Sequence, residues 1–194
     1  SVAGSTVQDR QLERDLGRPI RLVVAPRHPH RTASVLEAMQ RVLQRERGSG
    51  HSVLRLTEQR LGGKGTSRAP WLVVDTIGEL EKVYSLADVV FVGGTLARHG
   101  GHNMMEPAAL GKPTVFGPHV WNFQLDVDLL LAGGGGILVE DPAGLRRELG
   151  ALLADPAKCR TLVTRAKQVI LQNQGATRGT LERLGPLLDR QAAG

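Results

Sequence analysis

A chain of 194 residues with 41% hydrophobic and 23% charged residues can bury a core, and its balance excludes a disordered, collagen-like or disulfide-scaffold protein. A single cysteine, Cys159, excludes an internal disulfide and a thiol-rich metal site and fits a reducing compartment, the cytoplasm by default. The formal charge of +6 favours an anionic partner, but with three Phe, two Trp and one Tyr the aromatic platforms that hold single-stranded nucleic acid are scarce, so no nucleic-acid partner is expected.

Taken in chain order, Val2-Ala3-Gly4 reads as the last residues of a strand whose beginning lies before this sequence, with a helix from about Val7 to Leu16 behind it. Ile20 to Ala25 is a β-branched run closed by Pro26, and Val35, Leu36, Met39, Val42 and Leu43 follow at helical spacing. A short run from His51 to Leu56 leads into a loop with Gly62, Gly63, Gly65 and Pro70. Trp71 to Val74 then predicts a strand and Gly78 to Ala87 a helix. Val89 to Val92, Pro113 to Phe116 and Ile137 to Val139 are further strands bounded by glycines. Leu145, Leu149, Leu152, Leu153, Leu162, Val163, Ala166, Val169 and Ile170 give the segment from Pro142 to Arg190 a helical period. Short all-apolar strands alternating with helices predict an α/β fold: a Rossmann-like, three-layer α/β/α single domain over 1–194 with a mainly parallel sheet. No apolar run approaches the roughly 20 residues of a membrane-spanning helix, and Ser1-Val2-Ala3-Gly4 is no signal peptide.

Ligands of open parallel sheets bind at the carboxyl ends of strands, which singles out the segments after Gly4, Ala25, Asp75, Val92 and Phe116. Neither the three-glycine dinucleotide fingerprint nor a phosphate loop ending in Gly-Lys-Ser/Thr is present. Gly93-Gly94-Thr95 through Gly100-Gly101-His102-Asn103, opening a helix from Met104 to Leu110, forms an anion cradle on one reading, because glycines let backbone amides approach and a helix start attracts phosphate. On the other it is a structural turn in which Asn103 and Glu106 make a capping box. Arg27 and His28 sit on the proline-stiffened loop Pro26-Arg27-His28-Pro29, a cation and an imidazole suited to phosphate or simply solvated. Ser5 and Thr6 cap a helix or donate to an anion. The pairs His28/His30 and His99/His102 match no zinc signature, so no metal and no cofactor is expected. Gly133 to Gly136 reads as a helix-ending turn, and Cys159 as an inert helical thiol.

The run Gly93-Gly94-Thr95-Leu96 through Gly100-Gly101-His102-Asn103-Met104-Met105-Glu106-Pro107-Ala108-Ala109 resembles the donor-site signature of 3-deoxy-D-manno-octulosonic acid (Kdo) transferases. Val2-Ala3-Gly4-Ser5-Thr6, Pro26-Arg27-His28-Pro29, Val74-Asp75-Thr76-Ile77-Gly78-Glu79-Leu80, Gly111-Lys112-Pro113 and Phe116-Gly117-Pro118-His119 resemble the same family's blocks in the same order. The resemblance implies the C-terminal, nucleotide-sugar-binding half of a GT-B glycosyltransferase, with the N-terminal acceptor domain and its acidic base absent from this sequence and no activity in the fragment alone. It implies CMP-Kdo as donor, a lipid A precursor as acceptor, inversion without a metal, and peripheral association of the whole protein with the cytoplasmic face of the inner membrane in lipopolysaccharide biosynthesis. Carried over by block, Arg27 would contact the CMP phosphate with His28 beside it, Gly94, Thr95, Gly101, His102 and Asn103 would surround phosphate and sugar, and Glu106 would accept from ribose hydroxyls. Ser5 and Thr6 would face the interdomain cleft. The sequence departs from the family pattern at Thr95, at Ala97-Arg98-His99 and at Met104. Two alternatives stay open: a UDP-sugar-dependent GT-B transferase or epimerase domain, and a non-catalytic nucleotide-binding module.

Overall fold

A computed structural model describes residues 13, 16–26, 28–45, 52–61 and 71–173. The chain divides into two compact units, each drawn from two stretches of sequence: unit 1 takes the residues up to Val89 and returns for Val139–Pro156, while unit 2 takes Val90–Leu138 and resumes at Ala157. The expected strand fragment before Ser5 and everything after residue 173 lie outside the described residues.

Unit 1 holds a three-stranded parallel sheet of β1 (Val23–Val24), β2 (Val53–Arg55) and β3 (Trp71–Val73), in the order β1-β3-β2. β3 is central, pairing Leu72 with Val23 on one side and Leu54 on the other, and all three of its residues are buried. That is what an uninterrupted Trp-Leu-Val run requires, since a strand covered on both faces has no polar side to show. Helix α1 (Thr32–Arg45) turns its apolar stripe onto this sheet: Met39 and Val42 are buried against Trp71 and Val73, flanked by Val35, Leu36 and Leu43. Each such side chain contributes about 1.5–3 kcal/mol by leaving water. Two short helices that the periodicity did not predict complete the strand connections, a 3-10 turn at Pro29–Arg31 and α2 (Leu56–Arg60); α3 (Leu80–Leu86) falls inside the expected segment.

Unit 2 repeats the plan with β4 (Val90–Phe91), β5 (Thr114–Phe116) and β6 (Ile137–Leu138), again all parallel with β5 central and buried throughout. Its helices are α4 (Met105–Ala109), α5 (Gln124–Ala132) and, beyond the return to unit 1, α7 (Pro156–Asn173). Val92, Met104, Ala108, Phe116, Val120, Val127, Leu130, Ala166 and Val169 form one core.

The glycine run 133–136 ends α5 as predicted, with Gly134 at φ +63° and the Gly135 amide donating to Leu130 O at 2.7 Å. It also serves packing: a Cβ on Gly135 would fall 2.6 Å from the Ala166 Cα of α7. The helical segment from Pro142 splits into α6 (Pro142–Ala154) and α7 at Asp155-Pro156. Pro156 carries no N–H, and its ring pushes Asp155 into extended backbone, φ −123° and ψ 93°. Asp141 caps α6, its carboxylate accepting from the Gly144 amide at 2.6 Å, with Pro142 in the first turn. Among the described residues no helix is long and apolar enough to cross a membrane.

Candidate functional site

In unit 2 the loops that leave the carboxyl ends of β4 and β5 are tied together by one buried threonine. Thr95 is fully buried; its hydroxyl donates to Val92 O at 2.6 Å and accepts from the Gly117 amide at 2.7 Å. Its carbonyl accepts from the His119 amide at 2.9 Å. The Thr95 side chain is therefore spent inside the fold, and what this residue can offer a ligand is backbone.

Glycine is required at four points around it. A Cβ at Gly117 would lie 2.5 Å from Thr95 O and 2.6 Å from its carbonyl carbon, inside any allowed contact. Gly100 and Gly101 are buried with φ +79° and +73°, a left-handed pair that side-chain-bearing residues rarely adopt. Gly94, at φ +74°, lies so near that a Cβ there would be 3.7 Å from the Gly101 Cα. The loop thus folds back on itself, with bare backbone at 93, 94, 100 and 101.

Helix α4 starts at Met105 and is only five residues long, shorter than the expected Met104 to Leu110, so its dipole adds little at this end. Asn103 and Glu106 do meet, but not as a capping box. The Asn103 Oδ1 accepts from the Met105 amide at 2.9 Å and its Nδ2 donates to Glu106 Oε1 at 3.3 Å, while the N-cap is Met104, with no side-chain cap bond. This orients an exposed carboxylate in the first turn of α4. Met104 itself is fully buried as a core side chain, and Pro107 is buried in the helix. His102 is half-buried and engaged in a contact of its own.

Of the remaining predicted residues one is described. His28 belongs to unit 1, exposed on the turn after β1, its ring stacked on His30 with centroids 5.3 Å apart and its carbonyl accepting from the Arg31 amide at 2.9 Å. Ser5, Thr6 and Arg27 lie outside the described residues.

Two features escaped sequence reading. At the strand ends of unit 1, Thr57 grips Asp75 twice, amide to Oδ1 at 3.2 Å and hydroxyl to Oδ2 at 2.5 Å. Burial pushes the Asp75 carboxyl up, but the Thr57 hydroxyl and amide, its own amide and the Arg55 charge together hold it below the ordinary 3.8. Glu79, whose side chain is only 14% exposed, bridges Arg60 at 3.1 Å and Lys82 at 3.4 Å; the Arg60 hydrogen bond foremost, then Lys82, keeps it below the ordinary carboxylate value despite partial burial. The second feature is Trp121, in a 3-10 turn (Trp121–Phe123) between the β5 loop and α5, with His119 edge-on at 6.1 Å. Among the described residues no three His, Cys, Asp or Glu side chains converge as a metal site would need.

All-parallel strands, helical connections and a glycine loop locked at the strand carboxyl ends define a Rossmann-like α/β chain of the GT-B half type. No family model matches the chain. It is 32% identical over 170 residues to the 3-deoxy-D-manno-octulosonic acid transferase of Haemophilus influenzae, covering 87% of this chain and 38% of that protein. To the Bordetella pertussis enzyme of the same name it is 33% identical over 169 residues, covering 86% and 37%. The crystal structure of the C-terminal CMP-Kdo binding domain of WaaA from Acinetobacter baumannii superposes with a TM-score of 0.64 at 28% identity, covering 84% of this chain and 96% of that domain. The chain belongs to the 3-deoxy-D-manno-octulosonic acid transferase family, in the part that corresponds to this C-terminal domain. It spans well under half the length of the relatives it matches.

Proposed function

We propose that residues 1–194 form a single donor-binding domain of an enzyme that transfers Kdo from CMP-Kdo to a lipid A precursor in lipopolysaccharide biosynthesis. The observation that carries this reading is the locked glycine loop at the strand carboxyl ends, in a chain similar over nearly the whole length of a CMP-Kdo binding domain. Gly94, Gly101 and the Thr95 backbone would surround the phosphate, His102 and Asn103 phosphate and sugar, and Glu106, oriented by Asn103, would accept from ribose hydroxyls. Ser5, Thr6, Arg27 and His28 would complete the donor contacts. As the bond from Kdo to the phosphate breaks, charge grows on the departing CMP, and fixed amides and a guanidinium stabilise it there. The general base and the acceptor platform belong to the acceptor domain of the whole protein, which works at the cytoplasmic face of the inner membrane; this chain alone transfers nothing.

The test is calorimetric titration of the chain with CMP and with UDP, repeated on Glu106→Ala. CMP is expected to bind in preference, weakened about tenfold or more in the variant, the value of a hydrogen bond to a charged group. Preference for UDP would reassign the domain to uridine-nucleotide transferases or epimerases, and a whole protein that binds neither would be a module without a donor.

A further inference from the structure

Resting on that donor-site reading, we infer that Trp121 is a specificity-determining wall of the pocket that packs its indole against the transferred sugar rather than the nucleotide. All six aromatic side chains of the chain are described: Trp71 and Phe116 are buried, Tyr84, Phe91 and Phe123 half-buried, and Trp121 alone is exposed, at 56%. An indole left open to water costs apolar hydration, yet this one is held from several sides. Its edge lies on the Gly100 turn, where a Cβ would fall 2.9 Å from Nε1 and 3.0 Å from Cε2. The His119 ring stands edge-on to it, and the backbone before it is pinned by the His119 amide on Thr95 O. The Phe123 amide closes the turn on Val120 O at 2.7 Å.

A ring fixed at its edge and open elsewhere is a platform for an apolar ligand surface. Trp121 borders the Gly100 turn of the loop, and Glu106, the proposed ribose carboxylate, lies six residues further along the chain in the first turn of α4. The group that leaves the phosphate away from the ribose is the transferred sugar. A 3-deoxy sugar acid offers a methylene at C3 to the open face of the ring.

The experiment measures affinities of the chain for CMP and for freshly prepared CMP-Kdo, in the unmodified sequence, Trp121→Phe and Trp121→Ala, with urea midpoints to confirm that the exposed substitution leaves folding intact. Expected is a loss of about tenfold for CMP-Kdo in Trp121→Ala, recovered largely by Trp121→Phe, with CMP changed less than about twofold. An equal loss for both ligands places the ring on the nucleotide and overturns the inference while the donor-site reading stands; so does no loss for either. Failure of both the unmodified chain and the whole protein to bind CMP defeats the donor-site reading, and the inference with it.

Discussion

Replacing Gly117 by alanine should unlock the two loops of the site. The new Cβ would meet Thr95 O at 2.5 Å, Thr95 C at 2.6 Å and Leu96 N at 2.8 Å, all backbone atoms of a buried segment that cannot swing away. Relief requires the β5 loop to retreat, which stretches the Gly117 amide bond to Thr95 Oγ1 and the His119 amide bond to Thr95 O. Two hydrogen bonds at about 1 kcal/mol each, with about 1–3 kcal/mol of overpacking, outweigh the fraction of a kcal/mol that alanine gains by restricting the unfolded chain. The expected loss is about 2–4 kcal/mol, a fall in urea midpoint of roughly 1–2 M if the slope is about 2 kcal/mol per M. Gly93→Ala is the matched control, because nothing lies within 4 Å of a Cβ there; it should stay within about 0.5 kcal/mol. Urea unfolding followed by circular dichroism checks both. Equal midpoints for Gly117→Ala and Gly93→Ala would refute the latch.

Asp75→Asn removes a carboxylate held by the Thr57 hydroxyl and amide and should cost about 1–2 kcal/mol at neutral pH. Because the folded-state value of Asp75 is depressed, its contribution is present above the ordinary 3.8 and lost as pH falls through the lower folded value. The stability difference between Asp75→Asn and the unmodified chain should therefore shrink below about pH 4, read from urea midpoints at pH 7 and pH 3. Asp141→Ala strips the cap from α6 and should cost about 1 kcal/mol, a few degrees in melting temperature, whereas Asp141→Asn should stay within a few tenths of a kcal/mol.

The alternation of strands and helices was legible because each strand is a short apolar run stopped by glycine or proline, and the glycine loop follows the carboxyl end of β4 as an open parallel sheet suggests. Strand lengths were not: the run from Ile20 to Ala25 is extended in composition, yet only Val23–Val24 pairs with β3, since pairing depends on what the neighbour offers. The glycine loop could be found by its residues, but not its lock. Thr95 meets Gly117 across 22 positions only because β4 and β5 pair in the register Val90 with Thr114. Thr57 and Asp75, 18 apart, escaped for the same reason. Asn103 and Glu106 were paired correctly by spacing, although the bond is side chain to side chain and not the reciprocal cap that the pattern suggested. Trp121 belongs to no sequence pattern, and its exposure, which only the fold reveals, is what marks it.

The interleaved course of the chain bears on how it is made. Each unit leaves off and resumes, unit 1 at Val139 and unit 2 at Ala157, so neither is a contiguous stretch that a ribosome could release whole. When Leu138 emerges, all three strands of the second sheet exist, but Ala166 and Val169, which seal its core, are still unsynthesised. Contacts this far apart in sequence slow folding and leave apolar surface waiting. A fragment cut at Leu138 should look like a collapsed intermediate rather than a smaller domain, and the bare backbone at Gly135 marks where the late helix must land.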